Sequence, residues 1–151
     1  MKAILQRVSN ASVTVDSQLV SSIGCGFLIL LGVEANDNEA EAVALAKKIS
    51  GLRVFTDDND KMNLALADVN GEVLVVSNFT LCADCKKGRR PNFERAARGE
   101  QANSLYEFFC KTLADLGVRK VSKGVFGADM KVELLNDGPV TIIIDSTELA
   151  K

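Results

Sequence analysis

VLVVSNFTLCADCKKGRRPNF, residues Val73 to Phe93, changes character twice along its length. Val73-Leu74-Val75-Val76 carries no polar alternation, which predicts a strand buried on both faces. Such a strand needs cover on two sides, so the chain around it must be layered. At Ser77 the run gives way to a hydroxyl, then an amide at Asn78, then, past Phe79, a second hydroxyl at Thr80. Polar groups at the end of a buried strand cost free energy unless they bind each other or a ligand. Beyond Leu81 comes a basic loop, Lys86-Lys87-Gly88-Arg89-Arg90-Pro91. A rigid platform, a polar cluster and a positive rim together suit an anionic substrate with a reactive carbonyl. The plainer reading is a core strand ending in a polar turn, and this stretch alone favours it.

Residues 2–8 and 12–16 read as strands, with Asp16-Ser17 as a hairpin tip and Leu19 to Ile23 returning. Phe27 to Val33 is a second fully apolar strand. Residues 38–50 predict a helix with Ala42, Leu45, Ala46 and Ile49 on one stripe, Asn38 and Glu41 forming a capping box, and Gly51 at its end. Leu52 to Phe55 reads as a short strand, and Thr56 to Asp60 as a solvated turn rather than a calcium loop, since it lacks the required Gly and closing Glu. Asn70-Gly71 signals a hairpin into the Val73 strand. A second helix is expected from about Gln101 to Leu116, burying Leu105, Phe108, Phe109, Thr112, Leu113 and Leu116. Val118–Val121, Lys131–Leu135 and Val140–Asp145 complete the strands, with Asn136-Asp137-Gly138-Pro139 as a tight turn. The pattern predicts one α+β domain over residues 1–151, with mostly antiparallel β layers joined by hairpins and two main helices covering one side.

With 151 residues, 47% apolar and 25% charged, the chain is expected to fold around a sizeable core. The net charge of −2 gives no global attraction to nucleic acid, so any RNA contact should be local, as at residues 86–90. No apolar run approaches the ~20 residues that span a bilayer. The opening MKAILQRVSN lacks a signal peptide's apolar stretch, which predicts a cytoplasmic protein whose four cysteines are thiols. The chain contains no histidine. That excludes Ser-His-Asp and Cys-His catalysis and removes the commonest metal ligand. Proton transfer is left to a carboxylate, a lysine, backbone dipoles or the substrate itself.

Three further features have two readings each. Cys82-Ala83-Asp84-Cys85 is a single CxxC, short of a zinc site and preceding a basic loop rather than opening a helix. Coincidence is the favoured reading, and neither metal nor cofactor is expected. Lys86 to Arg90 is either a phosphate contact or a solvated loop. Gly138-Pro139 is either a hairpin turn or a cis X-Pro bond that aims two successive carbonyls the same way from a bare tip.

SNFTL at 77–81 and NDGPVT at 136–141 resemble the SQFTL and NxGPxT motifs of the D-aminoacyl-tRNA deacylases of bacteria and eukaryotes. QRV (6–8), ASVTV (11–15), LLGV (30–33), KMN (61–63), GRRP (88–91) and FGADM (126–130) resemble family segments too, so the likeness spans the chain. It implies a barrel-like β/β/α domain acting as a homodimer. The implied reaction is hydrolysis of the ester joining a D-amino acid, or mischarged glycine, to the 3′-terminal adenosine of tRNA. Gly138 and Pro139 would enter the partner's pocket and exclude L-isomers by their carbonyls, braced by Arg7. Thr80 matches the family threonine, but a lone threonine without a base is a poor nucleophile. Main-chain N–H groups near Phe79 and Thr80 would instead hold the oxyanion, with the adenosine 2′-hydroxyl helping to activate water. Ser77, Asn78, Phe79, Phe126 and Met130 would line the substrate pocket. Asn78 replaces the family Gln and is one methylene shorter. The rival reading is a non-catalytic module binding the tRNA 3′ end, supported only by Asn78.

Overall fold

The computed structural model describes residues 1–149. In chain order the elements are β1 (Lys2–Val15), β2 (Gln18–Ile23), β3 (Gly26–Gly32), α1 (Glu39–Ser50), β4 (Phe55–Thr56), β5 (Met62–Leu64), β6 (Glu72–Ser77), α2 (Gly99–Asp115), β7 (Val121–Lys123) and β8 (Lys131–Asp145). Six strands form one curled sheet in the order β2-β1-β3-β6-β7, with β8 also pairing β1; β4 and β5 form a small separate pair. The architecture is α+β, barrel-like, with both helices on one side.

The two apolar runs explain the layering. Along β6, Val73 and Val75 face the helix-side core, while Leu74 and Val76 face the barrel interior. Along β3, Phe27, Ile29 and Leu31 face the helices and Leu28 faces inward. Successive side chains point to opposite faces, so a strand with two covered faces must be apolar at every position. β3 and β6 pair in parallel, as do β6 and β7. This departs from the expected hairpin connectivity. Between β3 and β6 the chain passes through α1 and the β4–β5 pair, a crossover long enough for parallel pairing. Asn70-Gly71 is accordingly a turn closed by Gly71 N–H on Leu66 O (2.8 Å), not a hairpin into β6. At the start of β3, a Cβ on Gly26 would sit 1.7 Å from the Glu72 carbonyl oxygen, so only glycine allows the strands this close.

β1 is one strand, not two. Ala3 and Leu5 feed the helix-side core, whereas Val8, Ala11 and Val13 feed the barrel. The parity changes because the register with β8 slips by one residue between Val8 and Asn10, a β-bulge at Ser9. Its tip is the expected two-residue turn, with Asp16 and Ser17 both at positive φ (49° and 61°). β8 is likewise continuous, so Asn136–Pro139 is not a turn joining separate strands. Gln6 pairs with Thr141 and Val8 with Asn136, so residues 137–140 bulge out opposite Arg7.

α1 has the predicted capping box: Ala40 N–H donates to Asn38 Oδ1 and Asn38 N–H to Glu41 Oε2. Gly51 ends it in right-handed geometry, φ −96°, rather than left-handed. α2 starts earlier than expected, and its buried face is Ala102, Leu105, Tyr106, Phe109, Cys110 and Leu113. Leu116 is exposed and Thr112 donates its hydroxyl to Phe108 O. Tyr106 crosses the core to donate to Val75 O (2.8 Å), which ties α2 to the middle of β6. The expected strands at 52–55 and 118–121 shrink to β4 and shift to β7.

Candidate active site

At the end of β6, Asn78 N–H donates to Leu31 O (2.8 Å), the last tie of the Val73 strand to β3. The chain then winds into one 3₁₀ turn, Phe79–Cys82. Asn78 holds the N-cap position but makes no cap bond. Its Oδ1 instead accepts the Thr80 hydroxyl (2.5 Å). The first N–H groups of a helix have no partner within it. Those of Phe79 and Thr80 donate to nothing among the described residues. Cys82 is buried below, its thiol directed at Val33 O (3.5 Å).

This turn stands at the mouth of a cleft of about 610 Å³. Its floor is the barrel interior opened to one side: Leu28, Leu30, Val76, Val132 and Leu134. Ser77, Asn78 and Phe79 form one lip, and the loop from Phe126 to Met130 forms the other. The Met130 sulfur accepts Val125 N–H (3.4 Å), and the Phe126 ring lies 6.0 Å from Tyr106. Five of the predicted residues, Ser77, Asn78, Phe79, Phe126 and Met130, therefore meet in one place. Thr80 lies at the edge, outside the lining. Asp129 is the sole carboxylate among the lining residues, exposed and paired with Lys131 (3.1 Å).

Gly138 and Pro139 lie elsewhere, exposed in the bulge of β8 and joined by a cis peptide. Two groups shape this bulge. Arg7, only 9% exposed, donates to Asp137 O (3.0 Å) and Val54 O (2.7 Å), with Thr56 Oγ1 at 3.4 Å. Asn136 closes the base: Val140 N–H donates to its Oδ1 (2.9 Å), and its Nδ2 donates to Val140 O and Thr141 Oγ1 (both 3.3 Å). Gly138 has φ +138°, and a Cβ there would lie 2.8 Å from Val140 N, so glycine is required.

A family model described as D-Tyr-tRNA(Tyr) deacylase matches residues 4–145. The chain belongs to this deacylase family. The D-aminoacyl-tRNA deacylase of Clostridioides difficile is 54% identical over 148 residues, covering 98% of this chain and 99% of that protein. The protein of the same name from Idiomarina loihiensis is 57% identical over 141 residues, covering 93% and 97%. Among solved structures, the c-Myc DNA Unwinding Element Binding Protein superposes with a TM-score of 0.91 at 41% identity, covering 96% of this chain and 98% of that one. A probable eukaryotic D-amino acid tRNA deacylase has the same fold, with a TM-score of 0.81 at 16% identity over 95% and 97%.

Several cleft residues of this deacylase-family chain escape a reading of the sequence. Gln6 has a usable signal, being a polar residue inside an apolar strand. Ala97, Gly99 and Ala102, at the start of α2, have none, because small residues that leave a space carry no chemistry of their own. Asn136 and Thr141 stand in the NDGPVT motif, but their letters give no hint of the bonds they make. The CxxC separates into a buried Cys82 and an exposed Cys85. Burial pushes the Cys82 thiol up, with Glu34 adding to the effect, opposite to the direction of an activated thiol. Among the described residues no helix is long and apolar enough to cross a membrane.

Proposed function

We propose that the chain hydrolyses the ester between a D-amino acid, or mischarged glycine, and the 3′-terminal adenosine of tRNA, releasing the free amino acid and the tRNA. Family membership supports the reaction. The observation that carries the mechanism is the pair of undonated N–H groups at Phe79 and Thr80, beside a largely apolar cleft. Adenosine enters between Phe126 and Met130 on one lip and Ser77 and Asn78 on the other. The ester carbonyl oxygen turns to the two N–H groups, which stabilise the negative charge that develops as water adds. The adenosine 2′-hydroxyl takes a proton from that water and passes its own to the departing 3′-oxygen. The C–O bond then breaks to give a carboxylic acid and a ribose hydroxyl.

Thr80 is not the nucleophile in this scheme. Its hydroxyl hydrogen is donated to the Asn78 amide oxygen, which is no base at neutral pH. Chirality is read by a second copy of the chain. In the homodimer, the exposed Gly138 and Pro139 of one copy enter the cleft of the other, and their carbonyls occupy the space an L side chain needs. Main chain held by Arg7 and Asn136 deforms little. A 1,000-fold rejection of L-substrate needs about 4 kcal/mol, well within the reach of a rigid clash. The working compartment is the cytoplasm, where charged tRNA is made.

Incubation with D-Tyr-tRNA and L-Tyr-tRNA tests the reading. Release of tyrosine from the D-form alone is expected. Release from both removes the chiral role of Gly138 and Pro139. Release from neither, with the uncharged tRNA 3′ end still bound, makes the chain the binding module instead.

A further inference from the structure

We propose that Phe79 and Phe93 form a stacking platform for the base preceding the terminal adenosine, so that the site grips a single-stranded nucleic-acid end and not a nucleoside alone. This rests on the reading above and names a second subsite for the same substrate. Phe79 is 56% exposed and Phe93 36%, with ring centroids 5.1 Å apart and planes at 73°. Two phenylalanines left side by side in water leave an apolar patch without cover. Phe79 lines the cleft, and with Ala97 it also lines a second hollow of about 410 Å³ formed by Phe93, Glu94, Ala96 and Arg98. The two hollows share Phe79 and Ala97, so a strand whose last nucleoside fills the first has the second within reach.

Charge identifies the occupant. Between Asp84 and Arg98 the sequence has six cationic side chains against two carboxylates, in a chain whose net charge is −2. Main-chain bonds between Asp84 and Asn92 (2.8 and 2.9 Å) close the basic loop and place Phe93 at its foot. Arg95 is committed to Glu34 (3.0 Å). Lys86, Lys87, Arg89, Arg90 and Arg98 have no carboxylate within ion-pair distance among the described residues. Glu94 is the one acidic member of the hollow. Exposed aromatic faces edged by unpaired cations match bases and phosphates of single-stranded nucleic acid, whereas an apolar protein partner would leave those cations unused.

The test compares Phe93→Ala on two substrates, D-tyrosyl-adenosine and D-Tyr-tRNA. Stacking of one base predicts a rise in KM of about 5- to 150-fold for the tRNA, about 1–3 kcal/mol, with the nucleoside ester unchanged. Equal effects on both, or none, overturn the proposal. Phe93→Tyr keeps the aromatic face and should restore the KM, while Phe93→Leu keeps apolar area alone and should not. If the unaltered chain hydrolyses neither substrate, the functional reading fails, and titration with the uncharged CCA trinucleotide decides the platform. Weaker trinucleotide binding in Phe93→Ala supports it, and equal binding refutes it. A protein captured at this face with no trinucleotide binding also refutes it. Arg89→Gln with Arg90→Gln should reduce the salt dependence of tRNA binding, by about 0.7 in log–log slope for each phosphate no longer neutralised.

Discussion

Replacing Arg7 with methionine tests how the β8 bulge is held. The guanidinium is nearly buried and donates to two main-chain carbonyls, Asp137 O at 3.0 Å and Val54 O at 2.7 Å. A hydrogen bond from a charged group contributes ~1.5–3 kcal/mol, and because both carbonyls are only part-buried, water takes up some of the loss. The Asp137 carboxylate, 3.6 Å away and 58% exposed, adds little. Methionine fills much of the volume, and removing the charge relieves its desolvation. The net loss is then about 2–4 kcal/mol, set by the two carbonyls. With an m-value near 2 kcal/mol per M, the urea midpoint should fall by about 1–2 M.

The functional readout is separate from stability. With Arg7 gone, the tip carrying Gly138 and Pro139 keeps only Asn136 at its base, so the chiral barrier proposed for it should weaken before D-hydrolysis does. Hydrolysis of L-Tyr-tRNA should rise relative to D-Tyr-tRNA in a variant that is still folded at the assay temperature. Arg7→Lys should fall between the two, because an ammonium cannot span both carbonyls with a guanidinium's geometry. A methionine variant with an unchanged urea midpoint and unchanged D/L ratio would refute the bracing argument.

Other perturbations address other parts of the molecule. Thr80→Ala should keep D-hydrolysis within about tenfold, whereas a substrate ending in 2′-deoxyadenosine should lose at least about 100-fold, the usual worth of a positioned proton carrier; the opposite pattern would restore the threonine as nucleophile. Gly26→Ala should abolish cooperative folding, since its Cβ would meet Glu72 O at 1.7 Å, and a loss above ~5 kcal/mol removes much of a small domain's stability; a normal thermal melt would contradict the strand spacing. The Glu72 carboxyl is held below its usual range first by Gly24 N–H (2.9 Å) and then by Lys120 and Arg119, against the opposing effect of burial. Its stabilisation is therefore present above the unfolded value of about 4.3 and lost as pH falls through the lower folded value. Glu72→Gln should flatten stability against pH in that acid window, and an unchanged acid limb would show that Glu72 does not contribute. Burial drives the Cys110 thiol up to about 12, so thiol reagents should label the exposed Cys25 and Cys85 in the native chain and Cys110 only after unfolding.

The sequence makes β3, β6 and α1 legible because each carries a pattern with one physical solution. A run apolar at every position needs two covered faces, and the Asn38–Glu41 pair at the start of a helical stripe needs a helix N-terminus. Pairing is not legible. Nothing in Val73 to Val76 says that its neighbours run parallel, since that depends on where the chain goes between β3 and β6. The long strands look broken because polar residues at Ser9-Asn10 and Asn136-Asp137 resemble turns; in the structure they are bulges within a continuing ladder. Along α2 the periodic apolar stripe is plain, but Tyr106 and Cys110 do not announce themselves as part of it. Tyrosine reads as a surface residue until a buried acceptor such as Val75 O is known. The break in polarity at Ser77 to Thr80 marks a candidate site only once its likeness to the family motif is added, since alone it favours a plain polar turn, and nothing marks the places where space itself is the feature.

A strand of strict period 2 keeps alternate side chains on one face, so with perfect register every odd position of β1 would face the helix-side core, as Ala3 and Leu5 do. The slip at Ser9 turns the odd positions over, so Ala11 and Val13 pack in the barrel with Leu28, Val76, Val132 and Leu134, four of the residues that line the cleft. The break just before it, at Arg7, expels residues 137–140 from the ladder. The packing of β1 under the cleft and the tip therefore both depend on neighbouring defects in a single strand pair. Because β8 meets β1 along its whole length, displacement of one defect shifts the register on which the other depends. Substitutions at Ser9 that straighten β1 should thus disturb both the cleft and the Gly138–Pro139 tip, although Ser9 does not line the cleft.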